Sequence, residues 1–232
     1  MVCNIFYKFA ISSDYSFTSL INKNQFLKIK VIHMEFKDIV TQRYATKKFD
    51  GRKIDQKKVD ELLEIIRYAA SSLNVQPWRI KVISDPKLKE KLAPVSFNQA
   101  QITTCSHLLI FCADKDLASR RNTLEKYLIK GGAKKEDLKE YMNMIDGSIN
   151  NMNPEQKLSW AQRMMFLAVG NAINGAKSLG FDSCPMEGFQ PIEYSKILKL
   201  PDNLVPTVLV TIGYAADTPR PKFRLPKEEV FF

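Results

Sequence analysis

Apolar and polar positions recur along this chain with two different periods, and the changes of period mark its elements. Glu35-Phe36-Lys37-Asp38-Ile39-Val40 has helical spacing and predicts a helix over about 35–43. Val59, Leu62, Leu63 and Ile66 share one face of a second helix, 55–69, with Asp55 placed as its N-cap. Residues 79–84 alternate polar and apolar, the mark of a half-buried strand. Asp85-Pro86 opens a short helix, since proline suits the first turn. The run 105–113 is almost wholly apolar and reads as a buried central strand. Residues 116–147 are charged and helical, with a break at Gly131-Gly132.

From Ser159 to Leu179, Trp160, Met164, Leu167, Ala168, Asn171, Ala172 and Ala176 run along one helical side. This helix is apolar nearly all round, so it is expected to be buried, with Gly180 closing its C-terminus. Residues 205–213 form another strand. The remainder, 215–232, is basic and punctuated by proline, without apolar content for a core of its own; such a tail must lie across something else. Strands and helices mix without a regular strand-helix-strand repeat, which makes the fold class α+β.

Residues 1–33 stand apart. They carry four lysines, no arginine and one acid, Asp14, and no clean periodicity. Met34 opens the first crisp helical pattern, so the folded domain is expected over 34–232, with 1–33 disordered or a misassigned upstream translation.

The 232 residues are 45% hydrophobic, enough to bury a substantial core, and no apolar run reaches the roughly 18 residues that cross a membrane. The formal charge of +10 favours anionic partners. No RNP, zinc-finger or basic-zipper pattern accompanies it, so nucleic acid is not the expected partner. The four cysteines form no C-x-x-C pair and fit a reduced, cytoplasmic setting, with Cys105 and Cys112 as small core hydrophobes.

The chemistry is narrowed by what is missing. G-x-G-x-x-G and G-x-x-x-x-G-K-[ST] are both absent. The only histidines are His33 and His107, and His107 sits in an apolar run as a satisfied core residue. Metal clusters and Ser-His-Asp chemistry are hard to build from this inventory. An enzyme so short of reactive side chains often borrows the chemistry of a cofactor. Two stretches at opposite ends of the 55–69 helix suit an anionic, flat, polar-edged ligand: the cationic Arg43-Tyr44-Ala45-Thr46-Lys47-Lys48-Phe49-Asp50 and the polar loop Ala70-Ser71-Ser72-Leu73-Asn74-Val75-Gln76-Pro77-Trp78. Each also has a plain reading, the first as an exposed helix end and the second as a cap.

Those two blocks, followed in order by Pro185-Met186-Glu187-Gly188-Phe189 and Lys222-Phe223-Arg224-Leu225-Pro226, resemble the FMN-dependent nitroreductase family. The resemblance runs from Met34 to about Pro226 and is strongest to the oxygen-insensitive NAD(P)H nitroreductase and dihydropteridine reductase branch. It implies an α-β-α sandwich with a mixed, mainly antiparallel sheet. It also implies an intertwined homodimer that exchanges C-terminal tails and holds two FMN sites at its interface. NADH or NADPH would reduce FMN and leave, and the acceptor would be a nitroaromatic, quinone or pteridine-like molecule. Flavin or quinone reduction on the same fold is the alternative chemistry, and a non-catalytic basic module that binds an anion is the remaining reading.

Site residues follow position by position. Arg43, Lys222 and Arg224 match the cations on the FMN phosphate, and Lys47 the lysine at the flavin pyrimidine edge, where a positive charge raises the reduction potential. Tyr44 and Ala45 would contact the cofactor through backbone or packing, and Asn98 would read its polar edge. Ala70, Ser71, Ser72 and Asn74 match a loop reaching in from the other subunit. Pro185, Met186, Glu187 and Gly188 match a turn whose backbone approaches flavin N5 and O4. Gln101 stands where the branch often has lysine, Met164 where a glutamine commonly meets the cofactor, and Ala45 where serine is frequent. Residues 116–158 would form a substrate lid, with Tyr141 as a substrate contact.

Overall fold

A computed structural model describes residues 34–232, and the expectations for residues 1–33 lie outside the described residues. Eight helices and four strands follow one another among the described residues. The helices are α1 (Phe36–Gln42), α2 (Gln56–Arg67), α3 (Pro86–Leu92), α4 (Ala100–Thr104), α5 (Leu117–Lys130), α6 (Lys135–Asn150), α7 (Pro154–Ser178) and α8 (Pro191–Leu198). The strands are β1 (Trp78–Ile83), β2 (His107–Asp114), β3 (Asp182–Met186) and β4 (Leu204–Gly213), in the sheet order β1-β2-β4-β3. All three ladders are antiparallel, and one parallel bridge, Ala45 to Ser183, adds the mixed element.

The architecture follows from how β2 and β4 are buried. Successive side chains of a strand face opposite ways. On β2, Leu109, Phe111 and Ala113 enter one core, with Val208, Val210 and Ile212 of β4 and the apolar faces of α2 and α7. Leu108, Ile110 and Cys112 enter a second core, with Leu92 of α3, Ile102 of α4, and Tyr194 and Leu198 of α8. A strand covered on both faces has no polar side to show, which is why 108–113 is continuously apolar. β1 lies at the edge, where Arg79 and Lys81 remain exposed, and charge on an edge discourages pairing with other chains.

Local signals hold where side chains dictate the backbone. Asp55 accepts from the Lys57 N–H at 2.9 Å as N-cap of α2, and Asp85 does the same for α3, which has Pro86 at its first position. Gly180 takes φ +83° just past α7, and the Phe181 N–H returns to the Ala176 carbonyl at 3.1 Å. α7 starts earlier than its apolar pattern, because Asn153 and Gln156 form a capping box ahead of it. At Gly175 a methyl group would stand 3.0 Å from Leu62 and Ile65, so glycine there lets α7 lie close on α2.

Two expectations change. Phe166 and Leu167 of α7 are 44% and 47% exposed, so in the single chain this helix is not buried all round. Pro185 and Met186, read as part of a turn, are the last residues of β3. Proline fits there because β3 is an edge strand and need not donate outward. The helices α4 and α8 are too short to produce a period. Pro206, inside β4, sits opposite Cys112 beside a break in register, where a missing N–H costs little.

One polar group lies beneath the second core. The buried Lys89 ammonium donates to the Cys105 carbonyl, and His107 Nδ1 shares a 2.9 Å hydrogen bond with Ser106 Oγ, which also accepts from the Ile54 N–H at 2.8 Å. Burial first, then the charges of Lys89 and Lys53, lower the His107 pKa, and burial pushes the Cys105 thiol up to about 11. The unfolded chain therefore takes up a proton at His107 before the folded one does. Folded-state stability is expected to fall as pH drops below the ordinary histidine value of about 6.5. Urea unfolding at pH 7 and pH 5.5 should show a loss that shrinks in His107→Gln; an equal loss in both forms would refute the assignment.

Candidate functional site

Residues 43–50 form no helix or strand, yet almost every turn of their backbone is tied down. The Arg43 N–H closes α1 on the Ile39 carbonyl at 3.0 Å. Ala45 pairs with Ser183, and the Thr46 N–H donates to the Ser183 carbonyl at 3.2 Å, which lays the segment along the outer edge of β3. On its other side Phe49 bridges Ala215, the Asp50 N–H meets the Tyr214 carbonyl at 2.9 Å, and the Ala216 N–H meets the Lys48 carbonyl at 2.8 Å. An irregular segment can be this well fixed only because its amides find partners in place of a ladder.

Asp217 completes the clamp and was not singled out from sequence. Its Oδ2 accepts from the Lys47 N–H at 2.8 Å, and its Oδ1 accepts from the Tyr44 hydroxyl at 3.0 Å. Burial is the main cause that raises the Tyr44 pKa. Lys47 extends its ammonium to Cys184 Sγ at 3.6 Å; the Cys184 thiol is buried, and burial raises its pKa despite that ammonium. Tyr44, Ala45, Lys47, Asp217, Thr218 and Arg220 line a cavity of about 410 Å³.

Three cations converge beside this cavity. Lys222 Nζ donates to the Val40 carbonyl at 2.9 Å and to the Arg43 carbonyl at 2.6 Å, so it also closes the C-terminal end of α1. Burial chiefly lowers the Arg43 pKa, and the charge of Arg224 lowers it further. The Lys222 pKa is likewise lowered by desolvation, then by Arg43 and Arg224. Like charges repel, and this assembly is stabilised by any anion that enters it.

A second group lies around the end of β3. Gln99 Nε2 donates to the Gly188 carbonyl at 2.7 Å and to the Ser96 carbonyl at 3.1 Å, and the Gln190 N–H reaches the Val95 carbonyl at 2.8 Å. This joins the residues after β3, Glu187 and Gly188, to the loop that carries Asn98. Asn98 is exposed with φ 51°, while Gln101 is buried and turns its amide to Gln99 Oε1 at 3.2 Å. Sequence reasoning passed over Gln99, which has no motif around it.

Ala70, Ser71, Ser72 and Asn74 form a third group, with Ala70, Ser72 and Asn74 exposed. The Ser72 N–H points at Met164 Sδ at 3.3 Å, which brings Met164 of α7 to this loop. The hydrogen bonds of the loop among the described residues run to α5, α6 and α7, not to the 43–50 segment. Tyr141 directs its hydroxyl to the Leu73 carbonyl at 2.8 Å, so at least this polar contact is to backbone. No group of three or more His, Cys, Asp or Glu side chains able to hold a metal ion occurs among the described residues.

A model of the nitroreductase family matches residues 40–214 of the chain, from within α1 to just past β4. The chain belongs to the nitroreductase family. It is 35% identical over 204 residues to a Staphylococcus haemolyticus protein provisionally named an NAD(P)H nitroreductase, covering 81% of this chain and 92% of that protein. A Thermus thermophilus protein named NADH dehydrogenase is 29% identical over 197 residues, covering 85% and 95%. Among solved structures, a provisional nitroreductase of Exiguobacterium sibiricum in complex with FMN superposes with a TM-score of 0.78 at 27% identity, over 85% of this chain and 96% of that one. The 40–214 match contains the 43–50 segment, the 70–74 loop and the end of β3, while Lys222 and Arg224 lie beyond it.

The clamp on this family's 43–50 segment is testable without any ligand. Asp217→Ala removes the acceptor of two hydrogen bonds and is expected to cost about 1.5–3 kcal/mol in urea unfolding. Tyr44→Phe should cost about 0.5–1.5 kcal/mol, and the double change less than the sum, because the two share one bond.

Proposed function

We propose that this chain is an FMN-dependent NAD(P)H oxidoreductase working as a homodimer. The convergence of Arg43, Lys222 and Arg224 carries the reading. Two guanidinium groups and an ammonium, drawn together against their mutual repulsion, fit a phosphate dianion better than any neutral ligand. The neighbouring cavity is large enough for part of a flavin and has Lys47 on its wall. The FMN complex of the Exiguobacterium relative supports the same group here.

FMN, when bound, would supply ping-pong hydride chemistry, taking hydride from NADH or NADPH and passing reducing equivalents to a nitroaromatic, quinone or pteridine-like acceptor. The protein's own part is to bind and orient. Arg43, Lys222 and Arg224 would grip the phosphate. Lys47 would place a positive charge at the polar edge of the ring, with Tyr44 and Ala45 packing beside it. Its backbone is fixed by Asp217, so that charge has a defined origin. Asn98, Gln101 and the Pro185, Met186, Glu187 and Gly188 segment would meet the ring from the β3 side, and Gln99 holds the two in register. Ala70, Ser71, Ser72, Asn74 and Met164 would serve the site of the partner subunit, and Tyr141 would border the acceptor.

Exposed apolar residues support the dimer. Phe36 and Val40 on α1, Phe166 and Leu167 on α7, and Phe223, Leu225 and Phe231 in the tail all stand in solvent in the single chain. Apolar surface of this kind marks an interface. Tail exchange between subunits would cover it. We place the folded unit at 34–232 and the enzyme in the cytoplasm, where Cys105, Cys112 and Cys184 stay reduced.

Purified protein should be yellow, oxidise NADH or NADPH against a panel of nitroaromatic, quinone, pteridine and free-flavin acceptors, and give parallel double-reciprocal lines. Arg43→Ala should raise the FMN dissociation constant about 10- to 100-fold. A colourless protein that takes up no FMN would sink the reading.

A further inference from the structure

The 71–76 loop holds an unusual concentration of backbone strain. Leu73, Asn74 and Gln76 have φ of 53°, 51° and 49°, and none is glycine. Asparagine tolerates this region through local bonds of its short amide, whereas leucine and glutamine lack that help. Gln76 also precedes Pro77, which narrows its backbone further. Conformations of this kind persist only where the surroundings over-determine them.

Bonds within the loop do part of this. Ser71 Oγ accepts from the Gln76 N–H at 3.0 Å, and the Gln76 side-chain amide donates to Asn74 Oδ1 at 2.9 Å. These tie the loop to itself. Two further bonds come from the α5–α6 hairpin, and each falls on the carbonyl of a strained residue. The Tyr141 hydroxyl of α6 donates to the Leu73 carbonyl at 2.8 Å, and Arg120 Nε, near the start of α5, donates to the Gln76 carbonyl at 3.1 Å. The hairpin is itself locked, since Arg121 pairs with Glu125 on α5 and with Asp146 on α6 at 3.0 Å. Both donors are partly buried, so their bonds compete weakly with water.

We propose that Tyr141 and Arg120 are positioning residues. The α5–α6 hairpin braces the 71–76 loop in its positive-φ form and so fixes Ser71, Ser72 and Asn74 for the ligand they meet. Only the identity of that ligand rests on the FMN reading. The hairpin then acts on the site through backbone, whatever covers the acceptor. A shift of the hairpin would reach the loop as release of strain.

The test uses the full chain in five forms: wild type, Tyr141→Phe, Arg120→Gln, Gln76→Gly, and Tyr141→Phe combined with Gln76→Gly. Two quantities are read: hydrogen exchange of the 71–76 amides in FMN-free protein, and the FMN dissociation constant from fluorescence quenching. Tyr141→Phe and Arg120→Gln should each speed exchange in the loop and weaken FMN about fivefold or more, the effect of losing one net hydrogen bond. In the Gln76→Gly background, where the Gln76–Asn74 bond is already gone, Tyr141→Phe should change both values less than it does in wild type, because glycine takes positive φ without steric cost and leaves less strain to brace. A role confined to general stability would give the same change in both backgrounds. Unchanged loop exchange in Tyr141→Phe overturns the proposal, as does an equal or larger effect of Tyr141→Phe in the Gln76→Gly background. Faster exchange with unchanged FMN affinity overturns it too, by detaching the loop from the ligand. Wild-type protein that binds no FMN defeats the cofactor reading instead, and the exchange data still decide whether the brace exists.

Discussion

Burial of the β2–β4 ladder on both faces is the constraint from which the other features follow. A pair of strands with no polar face needs a layer of helices on each side, and α2 with α7 and α3 with α4 and α8 supply them. The sheet then has only its edges left for polar business. β1 uses its edge for exposed charge. β3, short and ended by Pro185-Met186, leaves its outer edge to an irregular segment. That segment carries Arg43, Tyr44, Ala45 and Lys47, so the candidate site sits where regular structure stops and the core still holds the backbone firmly.

The two candidate segments differ in the kind of rigidity they have. The 43–50 segment is held without strain, by Ser183 on one side and by Tyr214, Ala216 and Asp217 on the other. The 71–76 loop is held with strain, by contacts from three helices. A cation cluster needs the first kind, since charges of one sign drift apart unless their backbone is fixed. A loop offering exposed hydroxyl and amide groups can use the second, because a strained backbone presents them at angles that a relaxed turn does not reach.

Much of this was legible in the residues themselves, for physical reasons. Asp55, Asp85-Pro86 and Gly180 are read correctly because a cap is a local bond between neighbours. The 105–113 run is read correctly because two-sided burial leaves no polar position from Leu108 to Ala113. β3 was missed because its residues, Asp182-Ser183-Cys184-Pro185-Met186, have low strand preference and pair only through the partner strand. α7 was read as wholly buried because periodicity reports which residues are apolar and not whether a neighbour covers them; Phe166 and Leu167 are the result. Asp217 and Gln99 escaped notice because each acts across more than 80 positions, on Lys47 and on Gly188, where no spacing rule applies.

The bonds from Lys222 to Val40 and Arg43 span 182 and 179 positions. They have a consequence for biosynthesis. A chain emerging from the ribosome can form its caps, its helix pairs and its sheet before Lys222 and Arg224 exist. The cation cluster cannot form until those residues have been made and have travelled back to the first helix. The cation cluster proposed to hold the phosphate therefore has no complete form on a chain that has not yet been made as far as Arg224. A stop codon in place of Lys222 would leave every helix and strand from α1 to β4 intact and still remove two of the three charges that gather at Arg43.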